Sequence, residues 1–225
     1  MKGLILKDLY TVRFQIIAGF LLMLFPNITL LFGGGGMNVG ANNEITKLMS
    51  VIMYGLINLV NICLFSSFVL NTLEADVNSG WAKMQRTLPV TGSEIIGAKL
   101  ASSGIIVGIL TLTSLAFNLV GALIFGVNLE LMITLPLCIG LYQMIVLAPL
   151  FPLAMKIGAR FTGVLYIVTE VVVLGLLIWL LVSTLDNGAD QMLLRIMFYG
   201  GLPALAAASA VLSYSSGRKA IESCT

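Results

Sequence analysis

The sequence predicts an all-α integral membrane protein with six transmembrane helices, and three observations carry that prediction. Of the 225 residues, 59% are apolar and only 10% are charged, against roughly 25% charged residues in an average soluble domain. Apolar stretches long enough to cross a bilayer recur six times along the chain. Lysine and arginine fall unevenly on the connections between those stretches. A chain with so little charge has no polar surface to keep it dissolved, so its apolar residues face lipid.

A span needs about 20 apolar residues at 1.5 Å each, and in lipid every backbone group must be paired within the segment, so each span is read as a helix. The spans run Phe14–Phe32, Leu48–Leu73, Leu100–Phe125, Leu131–Met155, Val164–Leu185 and Met192–Leu212. Together they make residues 1–225 a single transmembrane domain. Ahead of the first span, Ile5, Leu9 and Val12 fall on one helical face of residues 1–13, with Lys7 and Thr11 elsewhere. That pattern suits a short N-terminal interfacial helix; the plainer alternative is the flared end of the span itself. The connection Gly33–Lys47 opens with four glycines, and the turns near Val127–Glu130 and Asp186–Gln191 are brief.

Orientation follows from the cations. With the N-terminus in the cytoplasm, the inner segments carry Lys2, Lys7, Arg13, Lys83, Arg86, Lys99, Lys156, Arg160, Arg218 and Lys219, ten in all, and the outer side only Lys47 and Arg195. An even number of spans returns the C-terminus to the same side.

The connection Glu74–Lys99 is the longest and most charged. Asn78 or Ser79 can cap a short helix. Trp81, Met84 and Leu88 then share one face at i, i+3, i+7 spacing, with Lys83 and Arg86 off it. Pro89 disfavours helical geometry at Leu88 and ends the helix. Thr91 and Glu94, three apart, form a capping box that starts the next helix. The expectation is a surface-lying helix whose aromatic face either anchors in lipid headgroups or docks a partner.

Some chemistry is excluded. The chain has no histidine, which removes histidine acid–base catalysis, HExxH zinc sites and Ser-His proteolysis together. It has no GxSxG and no phosphate loop, and Cys63, Cys138 and Cys224 have no metal or disulfide spacing. A net charge of +2 does not suggest nucleic acid. The N-terminus does not read as a signal peptide, since Asp8 and Arg13 precede the apolar run. Within the spans, Glu170 lies about 10 Å from the inner end of span five. It either lines the translocation path or the dimer interface, or it reaches back to the membrane interface or pairs with Arg160 or Tyr166. Asn58 and Asn61 share a face of span two. Ala101, Gly104, Gly108, Thr111, Asn118 and Ala122 stripe span three, with a GxxxG spacing that permits close helix packing. Pro136, Pro149 and Pro152 suggest kinks in span four.

The connection resembles the cytoplasmic loop of small six-helix type-2 ABC exporter permeases. The resemblance rests on the acidic pair Glu74 and Asp76, on Trp81, on Leu88-Pro89-Val90, and on Ile95-Ile96 with Lys99. The opening MKGLILKDLY and Met155–Gly158 after span four are similar too, and the closest likeness is to exporters of amphipathic peptide toxins such as phenol-soluble modulins. Gly80 before Trp81 departs from the pattern. The resemblance implies a permease subunit in a bacterial cytoplasmic membrane, paired with a second permease half and with two copies of a cytoplasmic ABC ATPase that would bind ATP and Mg. It implies that the helix around Trp81 couples to that ATPase through Glu74, Asp76, Trp81, Met84, Arg86, Leu88 and Pro89. It also makes Asn58, Asn61 and Glu170 candidates for the translocation path or dimer interface. A substrate-binding subunit of a vitamin-type uptake system is the alternative, and the short external connections argue against it. An intramembrane enzyme would need a catalytic pair, and Glu170 is the only clear acid deep in a span.

Overall fold

The computed structural model describes residues 2–33, 44–79, 90–126, 129–158, 160–172 and 200–222. Among the described residues there is no strand. The helices are α1 (Lys2–Gly33), α2 (Glu44–Ser66), α3 (Phe68–Asn78), α4 (Gly92–Phe125), α5 (Leu129–Ile157), α6 (residues 160–172) and α7 (Leu202–Glu222). Stretches Lys2–Thr29, Met53–Asp76, Gly92–Ile124 and Met132–Ala154 are long and apolar enough to cross a membrane, as the first four predicted spans require. The second span is made by α2 and α3 in series. They are separated at Ser67, where the Leu70 amide donates to the Ser67 carbonyl at 2.9 Å. Helix α6 is the start of the fifth predicted span. Helix α7 overlaps the second half of the sixth and runs on to Glu222. The remainder of those two spans, residues 173–199, lies outside the described residues.

The separate interfacial helix expected over residues 1–13 is corrected. Lys2–Gly33 is one unbroken helix. The reason lies in its faces: Asp8 and Val12 are buried and Leu9 packs on the core, so the Ile5–Leu9–Val12 face meets protein. The large apolar side chains left exposed over this stretch are Leu6, Tyr10 and Phe14.

The start of α4 is as the spacing predicts. The Glu94 amide donates to the Thr91 hydroxyl, and the Thr91 amide donates back to the Glu94 carboxylate at 2.9 Å. Two orphan donors are satisfied reciprocally. Of the residues proposed to cap the connection's short helix, Asn78 ends α3 and the Ser79 hydroxyl donates back to the Ala75 carbonyl at 2.6 Å; that short helix lies outside the described residues.

Helix α4 is the hub. It packs against α1, α2, α5 and α7, and touches α3 near its own start. Among the described residues close approach does not occur at the Gly104–Gly108 pair: a side-chain carbon at Gly104 would meet only the Met144 methyl, at 3.7 Å, and one at Gly108 would meet nothing within 4 Å. It occurs at Gly121 under the Tyr54 ring, at Gly140 against Thr111 and at Gly217 against Ile96.

The three prolines of α5 do not divide it. Each removes an N–H and so orphans the carbonyl four residues earlier, which in an apolar surround must find another donor. Pro136 orphans Met132, whose carbonyl accepts from the Asn118 amide on α4 at 2.9 Å. Pro149 orphans Ile145, which accepts from the Ser209 hydroxyl on α7 at 3.3 Å. Pro152 orphans Ala148, which accepts from the Ser213 hydroxyl, also on α7. A backbone defect in one helix thus becomes an interhelical fastening.

Candidate functional site

Where the connection 74–99 leaves α3 and enters α4, the structure holds a buried ionic cluster. Three helices bring polar groups together here: Thr72 and Asp76 one turn apart on α3, Lys99 and Ser102 one turn apart on α4, and the adjacent Lys7 and Asp8 on α1. The Lys99 ammonium has three donors, and all three are engaged: Asp76 Oδ2 at 2.7 Å, Asp8 Oδ1 at 2.8 Å and Thr72 Oγ1 at 3.4 Å. Lys7 Nζ bonds Asp76 and lies 3.3 Å from Asp8 Oδ1. The Ser102 hydroxyl donates to Asp8 Oδ2 at 3.3 Å. Asp8, Lys99 and Asp76 are 2%, 3% and 6% exposed. Two carboxylates face two ammoniums, so the cluster is neutral, which is the condition under which buried charges persist.

The predicted coupling residues separate. Asp76 is turned into the fold, where its carboxylate is held by Lys7 and Lys99 rather than presented outward. Glu74, two residues earlier, is exposed. Trp81, Met84, Arg86, Leu88 and Pro89 lie outside the described residues.

A second polar node occupies the middle of the bundle. Glu170 on α6 is buried, and its Oε1 accepts from Gln143 Nε2 on α5 at 2.8 Å. The same Gln143 nitrogen lies 2.9 Å from the Cys63 sulfur on α2. The Tyr166 hydroxyl reaches the Cys63 carbonyl at 2.6 Å and Gln143 Oε1 at 3.2 Å. Glu170 Oε2 and the Tyr142 hydroxyl meet no hydrogen-bond partner among the described residues. Of the two residues proposed to pair with Glu170, Tyr166 lies one turn away on α6 and shares Gln143 with it.

Asn58 and Asn61 are both buried. Asn58 donates to Asn118 Oδ1 at 2.7 Å, the same Asn118 that caps the Met132 carbonyl. This explains span three's stripe better than lipid exposure does: Thr111, Asn118 and Ala122 are buried against neighbours. Asn61 sits beside Pro26, Leu56, Ile57 and Val60 in a shallow cleft between α1 and α2.

Sequence reasoning missed two residues. Asp8 is the only acid before Glu44, and an acid isolated at the mouth of an apolar span needs a cation on a neighbouring helix. Gln143 lies at the centre of an otherwise apolar predicted span, and such an amide seeks a partner across helices.

The sequence model of the family described as ABC-2 family transporter protein matches residues 3–222. No curated protein and no solved structure matches the chain.

Proposed function

The chain belongs to the ABC-2 transporter family and is a membrane-embedded permease subunit; from that membership and the ionic cluster we propose that residues 74–99 couple it to a cytoplasmic ABC ATPase. In this reading the permease pairs with a second permease half and two ATPase copies, which bind ATP and Mg. It sits in a bacterial cytoplasmic membrane with both termini inside, and it exports amphipathic or hydrophobic peptides. The ten-to-two distribution of cations supports the orientation. The resemblance to toxin-peptide exporters supports the cargo class.

The observation that carries the coupling role is the double anchorage of the connection. Its first end, through Asp76, and its last, through Lys99, are tied to each other and to α1 by Asp8. A hydrogen-bonded charge network in a low-dielectric site is stiff. Force applied between residues 76 and 99 would therefore move α1, α3 and α4 as one body. Exposed Glu74 remains open to a partner, and Asp76 serves as the internal tie.

The test is retention of the ATPase. A buried aromatic anchor at an interface is worth on the order of 2 kcal/mol or more on truncation, roughly a thirtyfold loss of affinity. Trp81→Ala is expected to release much of a tagged ATPase from the detergent-solubilised permease, with insertion verified by protease protection. Met84→Ala and Leu88→Ala should do so more weakly. Retention by Trp81→Ala equal to that of the parent would mean that the aromatic face is a headgroup anchor and not a docking surface.

A further inference from the structure

Of the four described stretches long and apolar enough to cross a membrane, that of α1 is the least buried, at 17%. Its outward face carries Leu6, Tyr10, Phe14 and Ile17, and Tyr10 and Phe14 are 63% and 71% exposed. Arg13 lies on that face. Its guanidinium carbon is 3.7 Å above the Tyr10 ring centroid and 4.6 Å from that of Phe14. No carboxylate among the described residues lies within ion-pair distance of it. Lys7 and Lys99, at the same end of the bundle, are by contrast neutralised inside the cluster.

We propose that Arg13, framed by Tyr10 and Phe14, is a binding site for the phosphate of an anionic phospholipid in the leaflet that covers the ionic end of the bundle. Stacking occupies the flat faces of the guanidinium and leaves its in-plane N–H donors open. Those donors match two phosphate oxygens at once. Depth agrees with this. Arg13 lies five residues, about 7.5 Å, further along α1 than Asp8, and helical side chains lean toward the N-terminus. The guanidinium is thus carried back over Tyr10 toward the headgroup layer. Exposed aromatic rings with a polar edge or a cation are the side chains that settle at this depth.

The rival occupant is a second copy of the chain, and charge decides against it. Helix α1 has a single carboxylate, Asp8, which is buried. A twofold contact through this face would set the same patch against itself, bringing two guanidiniums into one interface to which α1 offers no exposed carboxylate. An anionic lipid supplies that charge.

The experiment uses the purified full-length chain in neutral detergent. Phosphatidylglycerol or phosphatidylcholine is titrated in as mixed micelles while thermal unfolding and particle mass are followed. The parent should be stabilised by phosphatidylglycerol at lower concentration than by phosphatidylcholine. Arg13→Gln should weaken the apparent affinity for phosphatidylglycerol about tenfold and leave the phosphatidylcholine response unchanged. Arg13→Lys, which keeps the charge but loses the planar fork, should fall between. Lys2→Gln, which removes an exposed cation elsewhere on α1, should behave as the parent. An unchanged phosphatidylglycerol preference in Arg13→Gln overturns the proposal. So does a loss of preference equal in Lys2→Gln, which would reveal diffuse charge attraction. Dissociation of a dimer by Arg13→Gln with lipid preference intact would assign the face to a second copy and overturn it as well.

Discussion

Replacing Lys99 with methionine tests the ionic cluster most directly. The substitution keeps an unbranched stem of similar length, so little cavity is created, and removes only the ammonium. That ammonium makes contacts of 2.7 Å to Asp76, 2.8 Å to Asp8 and 3.4 Å to Thr72. Its loss leaves two buried carboxylates sharing Lys7, and the cluster passes from neutral to a net charge of −1. Removing one partner of a buried pair costs about 3–5 kcal/mol. Lys7 still compensates one carboxylate, so the lower figure applies, about 3 kcal/mol. At roughly 2–4 °C per kcal/mol for a chain of this size, Lys99→Met should unfold about 6–12 °C below the parent. The assay is helix loss by circular dichroism of the purified chain in detergent, at one scan rate for all variants because the transition need not be reversible. The decisive arm is the double variant Asp76→Asn/Lys99→Met. It restores neutrality by leaving Lys7 with Asp8, so it should unfold at a higher temperature than Lys99→Met alone. An additive double variant, lower than either single, would refute the reasoning, and so would a Lys99→Met midpoint within about 2 °C of the parent.

Two further variants probe the other polar contacts. Ser213→Ala strands the Ala148 carbonyl that Pro152 has already deprived of its amide donor, and should cost about 1–3 kcal/mol. Adding Pro152→Ala returns an N–H four residues ahead and should recover most of that loss in the same unfolding assay; a double variant no more stable than Ser213→Ala would show that the serine bond is not compensating the proline. Glu170→Gln keeps a carbonyl oxygen able to accept from Gln143, so the unfolding midpoint should stay near the parent's while export, measured at equal protein level in cells, falls. Unchanged export would reduce Glu170 to a packing role.

The sequence disclosed what depends on one helix at a time. Span positions follow from apolar length, and the Thr91–Glu94 box is a local pattern, so both could be read before any packing was known. The Gly104–Gly108 spacing is also local, and GxxxG states only that close approach is sterically allowed; no described neighbour presses on that pair. Which glycine is used depends on what the neighbour presents. Gly140 meets Thr111 and Gly217 meets Ile96 because those side chains occupy the matching levels. The continuity of α1 was hidden for a related reason. The Ile5–Leu9–Val12 face is equally suited to headgroups and to protein, and only the position of α3 and α4 beside Asp8 decides between them.

The polar residues show the same boundary from the other side. Their cost in an apolar surround is visible in sequence, but their partners are set by the relative register of two helices, which sequence alone does not state. Asp76 was legible as a charged residue of the connection, and its inward turn was not, because the cations that hold it are distant in sequence, Lys7 69 residues before it and Lys99 23 residues after it. Once partners are known, the two clusters part company. At the ionic end every donor of Lys99 is met, and each carboxylate is bound by more than one group. At the mid-bundle node Glu170 Oε2 and the Tyr142 hydroxyl meet no protein partner among the described residues. A satisfied buried network resists rearrangement, whereas one with open members loses less when its helices shift. Motion driven from residues 74–99 should accordingly leave the α1–α3–α4 base intact and appear as displacement between α2, α5 and α6 around Gln143. Spectroscopic distances between labels on α5 and α6, taken with and without nucleotide on the assembled transporter, should change while those between α1 and α4 stay constant. The opposite pattern would mean that the ionic cluster is the part that yields.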